Sequence, residues 1–348
     1  TVQPPVIPIV AEWTRDNPGT ISMGQGVVSW GPPENAYEGI DRFREDVENH
    51  KYKLAQGIPA LLELIGEKLK GENGIHVDPK DRVFVTAGAN MAFINAVLAI
   101  ADVGDEIILP APFYFNHEMA VTMLGCTPVI VPTDKNHQLD LDALRSAITE
   151  RSRAIVTISP NNPSGVVYPK KDLQAVTALC REFGLFHISD EAYEYFTFDG
   201  ASHFSPGSAK DADEHVISLF SLSKAYGFAS WRIGYMVTPP QLIDAVKKIQ
   251  DTNLICPPVV SQFAALETIR TGRAYCEEKL TDVRDVRNLV IERLAGWEKF
   301  ATIAPAKGAF YFLLKIKTKL DSLSVTQRLI GEYKVAVIPG SAFGLTEN

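Results

Sequence analysis

Lys224 stands between two apolar runs, "VISLFSLS" (216–223) and "RIGYMVTP" (232–239), inside the segment "SLSKAYGFASWRIGY" that extends from Ser221 to Tyr235. A lysine amine among core residues is costly unless it has a task. Desolvation beside a second cation weakens its hold on a proton and makes it nucleophilic, able to form a Schiff base with an aldehyde. Arg232, eight positions on, supplies the second cation, and Ser221, three positions before, supplies a hydroxyl. Other polar residues sit where apolar runs end: Asn162 in "SPNNPSG" (159–165), and Asp190, Glu191 and Tyr193 in "SDEAY" (189–193). "TAGAN" (86–90) adds small residues through which backbone N–H groups reach an anion at a helix N-terminus. Taken singly, each has a plain account: turn chemistry, a strand–helix junction, or a structural ion pair for one of the two acids. "TAGAN" is neither G-x-G-x-x-G nor a Walker A sequence, which disfavours a dinucleotide or ATP.

The elements that must position these side chains are seven short apolar runs at 82–88, 106–111, 127–133, 153–160, 185–192, 216–223 and 232–239. Their near-continuous apolarity predicts strands buried on both faces, as in a mostly parallel sheet covered by helices. Between them, "MAFINAVLAIA" (91–101) and "PKKDLQAVTALCREFG" (169–184) read as helices, the second with Pro at its start and Gly at its end. The fold class is therefore α/β, a seven-stranded sheet with helices on both faces. Ligands of such sheets lie outside the carboxyl ends of the strands, and Asn162, Asp190, Tyr193, Lys224 and Arg232 all fall on that edge. One aldehyde cofactor needs this set. Pyridoxal phosphate requires a lysine, an acid beside its pyridinium nitrogen, donors on its phenolic oxygen and a cationic, amide-lined cup for its phosphate.

After about residue 258 the pattern changes to a long polar-faced helical stretch, "VVSQ…RLAG" (259–296), broken near Thr271-Gly272. A strand pair in "ATIAPAKGAFYFLLKI" (301–316) and one short strand in "KVAVIPGS" (334–341) follow. We expect a large α/β domain over 46–284. A smaller α+β domain would be formed by 285–348 with the Pro/Gly-rich, irregular residues 1–45.

Bulk properties narrow the function further. The 348 residues are 46% hydrophobic and 22% charged, with a net charge of −8, which supports a folded core and disfavours nucleic-acid binding. No apolar run approaches the length of a membrane span, and the first residues lack a basic-then-apolar leader, which predicts a cytoplasmic protein. Cys126, Cys180, Cys256 and Cys276 form no C-x-x-C pair, and no H-E-x-x-H occurs, so neither a disulfide framework nor a metal site is expected.

The segment around Lys224 resembles the lysine segment of fold-type I, class I aminotransferases, with its S-x-S-K pattern and an arginine eight positions on. The family's other motifs follow in chain order across nearly the whole length: "GQGVVSWGPP" (24–33), "KYKLAQGIPALLELIGEKL" (51–69), "TAGAN", "PFYF" (112–115), "SPNNPSG", "DEAY", "KGAFYFL" (307–313) and "VAVIPGSAFG" (335–344). The resemblance implies a pyridoxal 5′-phosphate-dependent transfer of an amino group from an L-amino acid to a 2-oxo acid, with ping-pong kinetics through a Lys224 Schiff base. It further implies that Lys224 then moves the α-proton, that Asp190 meets the pyridine nitrogen, and that Asn162 and Tyr193 bond the phenolic oxygen. Tyr114 stacks on the ring, where the family often has Trp or Phe. Ala89, Asn90, Ser221 and Arg232 take the phosphate. Tyr52 reaches the phosphate of a neighbouring subunit, which implies a homodimer with shared sites, and Gly26 lines the substrate carboxylate site.

Trp30, Phe310 and Tyr311 either shape the side-chain pocket or are core aromatics, and Glu191 is a structural or exposed acid. The family's carboxylate-binding arginine falls beyond "PGSAFG", whereas the sequence ends at "GLTEN"; we expect a further segment there. The "GQG" and aromatic-rich segment suit aromatic or kynurenine/glutamine substrates, and the layout suits aspartate-type ones equally. Two alternatives to transamination are a β-lyase on the same scaffold and a non-catalytic aminotransferase-like ligand sensor.

Overall fold

The computed structural model describes residues 6–345. The seven apolar runs become seven strands of one sheet: β1 (Val83–Thr86), β2 (Glu106–Ala111), β3 (Thr127–Pro132), β4 (Ser152–Ile158), β5 (Phe186–Asp190), β6 (Val216–Ser221) and β7 (Gly234–Val237). Across the sheet they run β1-β7-β6-β5-β4-β2-β3. β7 is antiparallel to both its neighbours, and the other pairs are parallel.

Side-chain alternation explains why these strands read as unbroken apolar runs. Phe84, Ile107, Leu109, Val156, Leu219 and Met236 share one buried cluster with residues of helices Ala89–Ile100 and Phe115–Met123. Their neighbours Val83, Val85, Phe220, Tyr235 and Val237 enter a second cluster with Leu61, Leu62 and Ile65 of helix Pro59–Lys68 and Ala264 and Ala265 of helix Val259–Arg270. Ile108 and Ile155 meet helix Lys170–Phe183 on that same side of their strands. Each fully buried Leu, Ile or Phe contributes about 1.5–3 kcal/mol, so both faces of the sheet hold it in place. Helix Lys170–Phe183 follows Pro169 and stops at Gly184 in a left-handed conformation (φ 67°), as its sequence predicts.

The predicted break at Thr271-Gly272 separates helices Val259–Arg270 and Gly272–Leu294, and the second runs unbroken past residues 284 and 285. Ala301–Ile303 pairs antiparallel with Leu314–Ile316. The first 45 residues, expected to be irregular, depart from that expectation. Val6–Asp16 is a helix that packs Val10 and Trp13 against Ile330 and Ala336. Pro8 is tolerated there because first-turn N–H groups have no intrahelical acceptor. A second helix, Asn35–Arg44, lies along Val259–Arg270 and ties Arg42 to Glu267 by an ion pair. Between these helices, Ile21–Ser22 pairs parallel with Val335–Ala336, and residues 23–34 cross toward the sheet edge.

Candidate active site

The reversed direction of β7 decides which residues meet. Residues just before it lie at the same edge as residues just after β1, β4, β5 and β6. Gly234 pairs with Thr86 on one side and Ser221 on the other. A Cβ at Gly234 would lie 2.6 Å from Phe220 O and 2.8 Å from Ala89 N, so only glycine lets the helix that starts at Ala89 approach the sheet this closely. Gly88 turns into that helix at φ 79°. The first-turn N–H groups of Ala89 and Asn90 have no intrahelical acceptor and carry the positive end of the helix dipole.

Arg232 reaches into the same corner. Its Nη2 donates to Ala87 O at 3.2 Å and its Nη1 to Ala229 O at 2.9 Å. The residue adopts a left-handed backbone (φ 57°, ψ 54°), which costs a non-glycine residue about 1–2 kcal/mol. Ser221 Oγ accepts from Ser223 N–H at 3.1 Å. A guanidinium, free helix N–H groups and a hydroxyl thus form a cup suited to a phosphate-like anion.

Lys224 emerges beside that cup. Its Nζ donates to Gly26 O at 2.5 Å and lies 5.8 Å from the centre of the Tyr193 ring. Burial lowers its pKa to about 8; Asp190 pulls it upward and Arg232 lowers it further. The amine is therefore available as a nucleophile at mildly alkaline pH. Asp190, at the end of β5, is only 6% exposed, yet each of its oxygens has a partner. Oδ2 lies 3.1 Å from His117 Nε2, and Oδ1 accepts from Ala192 N–H at 3.1 Å. His117 stacks on Phe93 at 4.0 Å and meets the Tyr114 ring edge-on at 5.4 Å.

Asn162 Nδ2 donates to the Tyr193 hydroxyl at 3.4 Å, and that hydroxyl lies 2.6 Å from the Tyr311 hydroxyl. Burial pushes the Tyr193 phenol well above its usual range, so it remains a donor. Tyr114 accepts from Asn116 Nδ2 at 2.7 Å, and burial raises its pKa against a hydrogen bond from Asn90. Trp30 Nε1 donates to Ala225 O at 3.2 Å, and its ring packs on the core cluster that contains Tyr193. Residues 26–30 therefore lie against the Lys224 loop.

The structure brings together Gly26, Trp30, Ala89, Asn90, Tyr114, Asn162, Asp190, Tyr193, Ser221, Lys224 and Arg232. Tyr52 stands apart. It is 78% exposed and lines a surface hollow of about 240 Å³ with Phe43, His50, Cys256 and Val260. Glu191 faces away from the site and is 1% exposed, accepting from Ser205 Oγ at 2.5 Å with His203 Nε2 at 2.9 Å, so it is the structural acid. The sequence does not mark His117 as a site residue, and it marks Tyr311 only as a pocket or core aromatic. His117 is one helical turn after Tyr114 and looks like any residue of an amphipathic helix; its i+3 spacing from that tyrosine was the available signal. Nothing local to Tyr311 in the sequence signals that its hydroxyl meets that of Tyr193.

Residues 18–348 match the family described as aminotransferase class I and II. The chain is 36% identical to an aspartate aminotransferase of Pyrococcus abyssi over 329 residues, which span 93% of this chain and 84% of that protein. It is 34% identical over 331 residues to an aromatic-amino-acid aminotransferase of Thermococcus litoralis, spanning 94% of this chain and 84% of the relative. Among solved structures, the aspartate aminotransferase of Thermus thermophilus with maleate superposes with a TM-score of 0.91 at 32% identity, covering 99% of this chain and 90% of that one.

Proposed function

The chain belongs to the class I and II aminotransferases and is a transaminase, and from that membership we propose that it uses pyridoxal 5′-phosphate held on Lys224, in the cup described above. The observation that carries this reading is a desolvated amine, a buried carboxylate and an anion cup converging on one sheet edge. Each group suits one part of the cofactor, and the absence of a Cβ at Gly234 keeps the Ala89 end of the helix close to the sheet. The bound cofactor supplies an electron sink for negative charge at the substrate α-carbon.

The chain's own residues divide the remaining work. Asp190, fixed by His117 and the Ala192 N–H, would keep the ring nitrogen protonated. Asn162 and Tyr193 would donate to the phenolic oxygen, and Tyr114 would cover a ring face. The N–H groups of Ala89 and Asn90, the Ser221 hydroxyl and the Arg232 guanidinium would bind the phosphate. Lys224 Nζ would attach the cofactor and then carry the proton taken from the substrate α-carbon. Gly26 and Trp30 would line the substrate side.

The 2-oxo acid formed from the donor would leave, its amino group staying behind in the site, before the acceptor binds, giving ping-pong kinetics. Tyr52 would complete the phosphate cup of a second copy, which makes the working unit a homodimer with shared sites; its 78% exposure supports this assignment. The same reading divides the chain into a cofactor-holding part, 46–284, and a smaller part, 1–45 with 285–348, joined through helix Gly272–Leu294. Residues 1–5 and 346–348 lie outside those described. A cytoplasmic location is proposed on four unpaired thiols, three of them buried.

The test is borohydride treatment of the holoenzyme followed by peptide mapping, with a panel of amino donors and 2-oxo acids. A pyridoxyl group on Lys224 and acceptor-dependent turnover support the reading. Labelling of another lysine overturns the site, and pyruvate and ammonia released without an acceptor overturn transamination. Aspartate, tyrosine, phenylalanine and kynurenine are the first donors to compare.

A further inference from the structure

We propose that Tyr311 is a positioning residue: its hydroxyl donates to the Tyr193 hydroxyl and thereby turns the Tyr193 proton toward the cofactor's phenolic oxygen. This inference rests on the reading of Lys224 as the cofactor-bearing lysine.

A phenol offers one proton and two lone pairs. The Tyr193 oxygen has two neighbours, Asn162 Nδ2 at 3.4 Å and the Tyr311 oxygen at 2.6 Å. The amide N–H₂ of Asn162 only donates. Among the described residues, the Tyr311 hydroxyl has no hydrogen-bond partner other than Tyr193. Were Tyr193 to donate to Tyr311, the Tyr311 proton would be left without a partner at a largely buried position, a penalty native structures avoid. Donation in the opposite sense satisfies Tyr311 and fills both lone pairs of Tyr193. The Tyr193 proton then points into the open side of the site, where Lys224 Nζ stands over the ring. A hydroxyl that accepts two hydrogen bonds is also the stronger donor, because successive bonds polarise one another.

The backbone holds this arrangement. Gly308 N–H donates to Gly165 O at 2.8 Å, and Ala309 N–H donates to Phe196 O at 2.9 Å. The segment bearing Tyr311 is thus tied to the loop bearing Asn162 and to the turn bearing Tyr193. The Tyr311 ring lies edge-on to Tyr193 at 5.5 Å and tilted against Phe310 at 4.6 Å. From the other side, a Cβ on residue 26 would collide with the Tyr311 hydroxyl. Gly26 therefore leaves that oxygen its place beside Tyr193.

The experiment is a pH titration of cofactor absorbance in purified holoenzyme, reporting the proton on the Lys224 nitrogen, for wild type, Tyr311→Phe, Tyr193→Phe and the double variant. Weaker donation by Tyr193 leaves more negative charge on the phenolic oxygen, which favours that proton. The midpoint of Tyr311→Phe is therefore expected to rise by about 0.5 pH unit. In the Tyr193→Phe background the same substitution should add nothing. Gly26→Ala, which displaces the Tyr311 hydroxyl from outside, must move the midpoint in the same direction and serves if Tyr311→Phe does not fold. A wild-type midpoint in Tyr311→Phe or in Gly26→Ala overturns the proposal, as does an equal shift with and without the Tyr193 hydroxyl. Borohydride labelling of wild-type Lys224 separates the two levels. No label there sinks the parent reading, whereas a label with an unmoved midpoint sinks this inference alone.

Discussion

His117 and Asp190 are partners at 3.1 Å, and the stack of His117 on Phe93 at 4.0 Å fixes the imidazole from behind. The carboxylate is thus oriented before any ligand arrives, as electrostatic preorganisation requires. Asp190→Ala is expected to lower kcat by about 10²–10³-fold. His117→Phe, which keeps the stack and removes the bond, should cost about 10-fold, the lower end of what losing an orienting partner does. Steady-state kinetics with saturating cofactor decide it; equal losses would mean that His117 does more than hold Asp190.

Lys224→Met should abolish transamination and yet stabilise the cofactor-free protein. Burial lowers the folded-state pKa to about 8, below the ordinary lysine value of 10.5. At pH 7 the amine is protonated in both states, and the folded chain bears the cost of a poorly solvated charge. Removing it should raise stability by about 1–3 kcal/mol, allowing for partial exposure. Between pH 8 and 10.5 the wild type recovers this cost and the difference should close. Urea melts at pH 7 and pH 10 measure both ends of that window.

Gly234→Ala places a methyl group 2.6 Å from Phe220 O and 2.8 Å from Ala89 N. The helix start must retreat from the sheet, at about 1–3 kcal/mol of stability. Affinity for pyridoxal phosphate should fall at the same time, because the Ala89 and Asn90 N–H groups move with it. Thermal melts and a fluorescence titration of the cofactor test the two effects together.

His187 lies buried between Thr157 (2.7 Å) and Thr177 (2.9 Å), and burial lowers its pKa to about 3. Below its ordinary value of 6.5 the unfolded chain takes up a proton that the folded chain refuses. Stability then falls with pH by up to about 1.4 kcal/mol per unit from this residue, down to about pH 3. His187→Gln should flatten the stability–pH slope between pH 6.5 and 5 by one proton. Parallel slopes in urea titrations of the two proteins would contradict this.

If Tyr52 completes the site of a second copy, Tyr52→Ala and Lys224→Ala should complement each other. Mixed after reversible dissociation, they form heterodimers in which one site has both Lys224 and the partner-supplied Tyr52. Activity rising above that of either variant alone is the expected result. Additive, uncomplemented activity would place Tyr52 in its own chain's site or in none.

The sheet was legible because six of its strands are buried on both faces; Thr127–Pro132, an edge strand with a neighbour on one side alone, departs from that expectation, with only Val131 buried. The polar residues at the strand ends were legible for the complementary reason: Asn162, Asp190, Lys224 and Arg232 interrupt apolar runs where a core residue would otherwise stand. His117 and Tyr311 were not, since each acts through a partner distant in sequence, and local composition does not encode which distant hydroxyl or carboxylate a ring will meet. The helices at Val6–Asp16 and Asn35–Arg44 were hidden similarly. Short helices owe their stability to the surface they pack on, here Ile330 and Ala336 for the first and helix Val259–Arg270 for the second.

Residues 21–30 touch segments far apart in sequence: Ile21–Ser22 pairs with Val335–Ala336, Met23 N–H donates to Ala336 O, and Gly26 O accepts from Lys224. Contacts spanning this much sequence close late in folding. On the ribosome, residue 336 must leave the exit tunnel before the segment carrying Gly26 can dock as seen here. The Lys224 amine therefore gains its Gly26 partner only after the strand at Val335–Ala336 has been made, well after Lys224 itself.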